Sequence, residues 1–169
     1  LEDTGQKMRI EELFKIGMKR DIPELLDPPP TGYKLNIGSG NQIVPGFHNF
    51  DLPYWDAEKD RIPYEDSAVG AIYAFHLLEH LSDPRPLIRE ALRVLKKGGI
   101  FNIVVPYYTS QMQAHDLDHK TCFCEETWKQ LLSSEYYSKD KISGFKIGTN
   151  IIIGVVERNL ALMTQLIKV

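Results

Sequence analysis

Tyr33-Lys34-Leu35-Asn36-Ile37-Gly38-Ser39-Gly40-Asn41 is a short apolar run that breaks on a Gly-x-Gly. Eleven residues after Gly40 stands Asp51. A strand, a glycine turn and an acid at the tip of the next strand form the arrangement with which an α/β sheet clasps a ligand carrying a ribose. The glycines carry no Cβ, so the chain can turn sharply and its N–H groups can approach a ligand. The spacing also limits what lies between. A helix of ordinary length needs about 11 residues by itself, so a loop, a helix and a strand do not fit between Gly40 and Asp51. The first crossover helix is therefore expected to be missing or reduced to a turn, with Phe47 to Leu52 as the second strand.

The elements downstream follow in an order that suits such a sheet. Ala68 to Ala74 reads as a short buried strand with Gly70 as its soft point. His76-Leu77-Leu78-Glu79-His80-Leu81 forms a helical turn beyond its carboxyl end, the edge where open α/β sheets bind ligands. Ser82 or Asp83 caps the next helix, Leu87, Ile88, Ala91, Leu92 and Leu95 make its apolar stripe, Lys96-Lys97 occupy its last turn, and Gly98-Gly99 end it. Ile100 to Val105 is apolar enough for a central parallel strand. Tyr107 to Cys124 is a long polar and aromatic loop of the kind that carries function or moves. Glu125 to Leu132 returns to helix. The β-branched run around Ile151-Ile152-Ile153 predicts an interior strand, and Asn159 to Val169 a short helix or a tail. Before all of these, residues 7–26 have helical character, stopped by Asp27-Pro28-Pro29-Pro30.

At 169 residues, 43% apolar and 25% charged, the chain is expected to form one domain over 1–169, with residues 1–30 as a helical extension and proline-rich connector. A formal charge of -3, with no sustained basic face, argues against a nucleic-acid partner. Cys122 and Cys124 are too close for an ordinary disulfide, and no apolar run reaches the roughly 18–20 residues of a membrane span. A cytoplasmic protein without membrane association is expected. His115-Asp116-Leu117-Asp118-His119 followed by the two cysteines mixes zinc-type ligands, but not at a standard zinc spacing, and no metal is expected.

Leu35-Asn36-Ile37-Gly38-Ser39-Gly40, Asn49-Phe50-Asp51, Ile62-Pro63-Tyr64, the run from Ala71 to His80, Arg93-Val94-Leu95-Lys96-Lys97-Gly98-Gly99 and Val105-Pro106 together resemble the small class I methyltransferases that use S-adenosylmethionine. The resemblance spans about residues 33–132. It implies an α/β, doubly wound, Rossmann-like, mostly parallel sheet with an antiparallel C-terminal strand. It implies S-adenosylmethionine as cofactor, with Gly38, Ser39 and Gly40 around its methionine part, Asp51 at the ribose, Asp56 near the adenine amino group, Phe75 and His76 near the sulfur, and Asn36, Asn41 and Leu52 as further cofactor-binding residues. An ionised carboxylate at Asp51 suits this role because it accepts only, and can take two donors at once. Two positions depart from the family pattern: Gln42 replaces a third glycine, and Gly70 replaces a usual aspartate.

Methyl transfer from a sulfonium is a direct displacement that needs alignment and exclusion of water. For an alcohol or amine acceptor, His119 is the first candidate base, followed by His80 and His76, with His115 as a further candidate, provided the imidazole lies within hydrogen-bond reach of the acceptor. The expected acceptor is a small molecule or metabolite. The alternatives are a cofactor-binding or scaffold protein without turnover, and a protein or nucleic acid methyltransferase. The short first crossover leaves room for a second copy or a partner chain to complete the pocket.

Overall fold

The computed structural model describes residues 31–41, 43–132, 140–154 and 159–169. The N-terminal helix expected over residues 7–26 lies outside them. β1 (Tyr33–Ile37), β2 (His48–Phe50), β3 (Val69–Phe75) and β4 (Leu95–Pro106) are followed by β5 (Phe145–Gly154) and β6 (Leu160–Lys168). The six form one sheet in the order β2-β1-β3-β4-β6-β5. The first four run parallel, and β6 lies antiparallel to both β4 and β5. A single 3-10 turn (Leu78–His80), helix α1 (Arg85–Val94), the single turn α2 (Gln111–Ala114) and α3 (Glu125–Leu132) complete the elements among the described residues. No described helix is long and apolar enough to cross a membrane.

The main core joins Leu35 and Ile37 of β1, Ile72 and Ala74 of β3, and Phe101, Ile103 and Val105 of β4 to Leu87, Ile88 and Ala91 of α1 and Trp128 of α3. Successive strand residues alternate faces, so Ala71 and Tyr73 instead meet Ile100, Phe47 and Phe75 in a second cluster on the other side of the sheet.

The expected loss of the first crossover helix is what the chain shows: between Gly38 and Phe47 the described residues contain only turns. Side-chain bonds hold that return in place. Asn36 donates to Asn49 Oδ1 at 2.8 Å, and Asn49 in turn bonds the Val44 N–H and the Val44 and Phe47 carbonyls. The segment from Trp55 to Ala68 is also without helix, and Glu90 and Arg93 of α1 clamp it. Arg93 donates to the Tyr64 carbonyl at 2.8 Å and the Ile62 carbonyl at 2.9 Å, while Glu90 accepts the Ile62 N–H at 3.1 Å. The planar guanidinium suits this work, since its fork serves two carbonyls and Glu90 at once.

Three sequence expectations are corrected. Helix α1 ends at Val94, ahead of Lys96-Lys97, because Leu95 is already extended and pairs with Val69. Lys96 to Gly99 form an excursion in the strand, since the next matched pair is Ala71 with Ile100. Gly98 sits at φ +76°, and a Cβ on Gly99 would lie 2.8 Å from the Lys96 carbonyl and 3.1 Å from that of Gly70. At the other end of α1, Asp83 accepts the Arg85 N–H, and the N-cap residue itself is Pro84. Second, Leu160 to Lys168 is neither helix nor tail but an interior strand. Its Ala, Leu, Met and Gln content favours helix, yet pairing on both edges overrides that propensity, with buried Gln165 opposite Asn102 and donating to it at 3.0 Å. Third, the Ile151-Ile152-Ile153 strand is at the sheet edge, with Ile152 41% exposed, because β6 takes the interior place.

Replacing Arg93 by Lys should lower stability by about 1–3 kcal/mol in urea unfolding, since a point charge cannot serve both carbonyls. Arg93 holds the Glu90 carboxyl below its ordinary 4.5. The stabilisation from this group is thus complete above pH 4.5 and lost as pH falls through the lowered value. Glu90→Gln should flatten the loss of stability on the acid side, read as the pH dependence of the urea midpoint.

Candidate functional site

β2-β1 and β3-β4 diverge at the carboxyl ends of β1 and β3, where the strand order reverses and an open sheet leaves a crevice. Both connections there enter the left-handed region of backbone space. Gly38 and Gly40 have φ of +69° and +54°, and His76, at the end of β3, has φ +53°, a region side-chain-bearing residues seldom enter. The two connections touch, for a Cβ on Gly38 would lie 2.9 Å from Leu77 Cβ and Cδ1. Close approach, as well as the sign of φ, requires glycine at this position.

The glycine turn is tied to the end of β2. Gly38 and Ser39 donate their N–H groups to the Phe50 carbonyl at 2.9 and 3.1 Å, and Gly40 N–H donates to Asp51 Oδ2. Asp51 Oδ1 accepts the Leu52 N–H at 2.7 Å. Among the described residues each carboxylate oxygen therefore has one protein donor and a lone pair left over. A cavity of about 210 Å³ opens beside it, walled by Gly38, Asp51, Leu52, Trp55, Asp56, Leu77, His80 and Lys120 among others. Asp56 accepts from Lys59 Nζ at 2.7 Å and from the Glu58 N–H at 2.9 Å, and these bonds hold its carboxyl below the usual range.

Of the residues singled out in the sequence, Gly38, Asp51, Leu52, Asp56 and His80 are thus on one cavity wall. Ser39 is buried behind the turn, and Gly40 and Asn41 are on its exposed side. Asn36 lies away from the cavity lining, buried with Asn49, and Phe75 packs in the cluster on the opposite sheet face. His76 stands at the crevice with Nδ1 3.2 Å from Glu79 Oε1. His119 meets His80 edge to face, with ring centroids 4.7 Å apart. His115 stays local and exposed, its Nδ1 on the Gln111 carbonyl.

Trp55, Leu77 and Lys120 were not legible as wall residues. Trp55 carries a usable signal, a large aromatic four residues after the strand-tip acid, and its indole N–H is anchored on the Arg61 carbonyl at 3.1 Å. Lys120 arrives through the loop after β4. That loop is ordered here by backbone bonds from Lys120 and Thr121 to the Glu79 carbonyl and by the Thr121 hydroxyl on the Leu78 carbonyl.

A family model described as a methyltransferase domain matches residues 39–103, from the glycine turn into β4. Solved methyltransferases share the architecture along nearly the whole chain. An S-adenosylmethionine-dependent methyltransferase from Thermotoga maritima superposes with a TM-score of 0.60 at 16% identity, over 95% of this chain and 91% of that one. The fold is that of a small class I methyltransferase. A Haloferax volcanii methyltransferase solved in complex with the Trm112 activator gives 0.59 at 13% identity, over 92% and 88%. The [4+2]-cyclase SpnF also gives 0.59, at 16% identity over 94% and 80%, so this methyltransferase fold is shared by a protein named for another reaction. No curated protein matches the sequence significantly.

In this methyltransferase-like fold, the Gly38–Leu77 contact joins the two connections that form the cavity. Gly38→Ala should destabilise the chain by at least about 1–2 kcal/mol, the usual penalty of a left-handed side-chain-bearing residue, with the clash against Leu77 added. Leu77→Ala in that background should recover the steric part alone, read as a coupling energy in a double-mutant unfolding cycle.

Proposed function

We propose that the chain binds S-adenosylmethionine in the cavity between the glycine turn and the 76–80 connection and transfers its methyl group to a small-molecule acceptor. The observation that carries this reading is Asp51. Its carboxylate is held at the tip of β2 by the Gly40 and Leu52 N–H groups and keeps one acceptor position free on each oxygen. Those two positions fit the pair of hydroxyls on a ribose. Leu52 and Trp55 flank the carboxylate with apolar surface, and Asp56 supplies an acceptor further along the same wall for an exocyclic amino group.

When bound, the cofactor supplies an electrophilic methyl group on a sulfonium. The protein's part is to place the acceptor in line and keep water away. Leu77 and Leu81 give the inner wall an apolar surface, and the loop carrying Lys120 covers one side. A proton released by an alcohol or amine acceptor passes to the imidazole cluster, where His80 is the member on the cavity wall and His119 backs it. The second reading, a binding protein without methyl transfer, is favoured by the likeness to a cyclase of the same fold.

Calorimetry with S-adenosylmethionine and S-adenosylhomocysteine tests the reading. The parent protein should bind both, and Asp51→Ala should bind at least about 100-fold more weakly, as loss of two charge-assisted hydrogen bonds worth about 1.5–3 kcal/mol each requires. Equal affinity in parent and variant would remove Asp51 from the ribose role. Binding without turnover over a broad acceptor panel would favour the second reading.

A further inference from the structure

Glu79 has no solvent exposure, and among the described residues its Oε2 has no hydrogen-bond partner. Its other oxygen meets only His76 Nδ1, at 3.2 Å, and no described lysine or arginine pairs with it. Burying a carboxylate this way is costly unless a cation or further donors compensate. The groups beside it are ligands. One donor atom each from Glu79, His80 and His119 lies within 4.8 Å of the other two.

We infer that Glu79, His80 and His119 form a binding site for a divalent transition-metal ion of the zinc type. Two imidazoles and one carboxylate are a ligand set that such ions accept, and it leaves a coordination position open. Zinc bonds of about 2.0–2.2 Å require the donors to draw together from the present arrangement, a motion of side chains about their own torsions. The surroundings favour it. The Gln113 carbonyl lies 3.2 Å from His119 Nδ1, which fixes that nitrogen as the N–H and leaves Nε2 as the ligand atom. His76 holds the second oxygen of Glu79 in the same supporting way. Asp116, whose carboxylate is 3.5 Å from His119 Nε2, adds negative charge beside the site, and its carboxyl is held low chiefly by the Asp118 N–H and also by the neighbouring imidazoles.

This group is not the His-Asp-Cys segment whose spacing in the sequence failed to match a zinc pattern. It takes one histidine from that segment and two residues from the turn after β3, 39 positions away from His119 in the case of His80. The packing of the Lys120–Thr121 backbone onto the Glu79 carbonyl, with the Thr121 hydroxyl on the Leu78 carbonyl, brings them together. His80 also walls the cavity, so the open coordination position is on the acceptor side. On the methyl-transfer reading, an acceptor oxygen coordinated there would lose its proton to solvent more readily, because a bound cation would stabilise the oxyanion, with His80 and His119 then acting as ligands in place of their role as base.

The test is calorimetric titration of ZnCl₂ into chelator-treated full-length protein, with no S-adenosylmethionine present, so that its result is independent of methyl transfer. One ion should bind per chain, and Co²⁺ in its place should give the visible absorption of a four- or five-coordinate site. His119→Ala should weaken binding at least about tenfold, and Glu79→Gln should do the same, each variant checked for folding by circular dichroism. His119 is in a loop, so its variant carries the test if Glu79→Gln does not fold. Cys122→Ser with Cys124→Ser should leave affinity unchanged. No binding by the parent, equal binding by His119→Ala, or binding lost in the cysteine variant would overturn the site.

Discussion

The carboxylate of Asp51 closes a ring on which the rest of the site depends. It accepts the Gly40 N–H across eleven residues, while Gly38 and Ser39 donate to the carbonyl of the residue before it. A nucleotide-binding sheet ordinarily returns from its first strand through a helix, whose N-terminal amides and dipole face the ligand. Here the return is too short for one, and three of the amides that would face outward are satisfied by the end of β2. These bonds tie the turn to the end of β2. What it presents is an acceptor group, with little of the positive potential that a helix terminus offers to an anion.

The same economy extends to the next crossover. The segment between β2 and β3 has no helix to cover the core, and its backbone polar groups need partners. Glu90 and Arg93 supply them from α1, using one N–H and two carbonyls of Ile62 and Tyr64. Trp55 and Ile62 fill the apolar space, and Trp55 simultaneously forms the cavity wall next to Asp51. One short segment therefore closes the core and shapes the ligand site. A lesion in the Arg93 fork should be felt in the cavity as well as in stability.

The first half of the sheet was legible in the sequence because its signals are local. A glycine turn, a strand-tip acid, an apolar alternation and a count of residues between Gly40 and Asp51 were enough to place β1 and β2 and to exclude a first helix. The last strand was not legible, since Leu160 to Lys168 has helix-favouring composition and becomes a strand only through pairing with β4 and β5. The end of α1 was misplaced for a related reason: Lys96 to Gly99 resemble a helix terminus, but Leu95 is captured by Val69 of the neighbouring strand. Of the residues singled out in the sequence, Asp51, Asp56 and His80 share one cavity wall. Trp55 and Lys120 were not legible, because their place on the wall is set by a turn and by a loop docking onto the Glu79 carbonyl.

The central claim is that a ligand enters beside the closed Asp51 ring, on the β1–β3 side of the crevice. Backbone-amide NMR during titration with S-adenosylhomocysteine tests it most directly. The largest saturable shifts are expected at the Gly40 and Leu52 amides, which share the Asp51 carboxylate, and at the Trp55 indole N–H. Saturable shifts confined to the opposite sheet face, around Phe47, Tyr73 and Phe75, with Gly40 and Leu52 unmoved, would contradict the account.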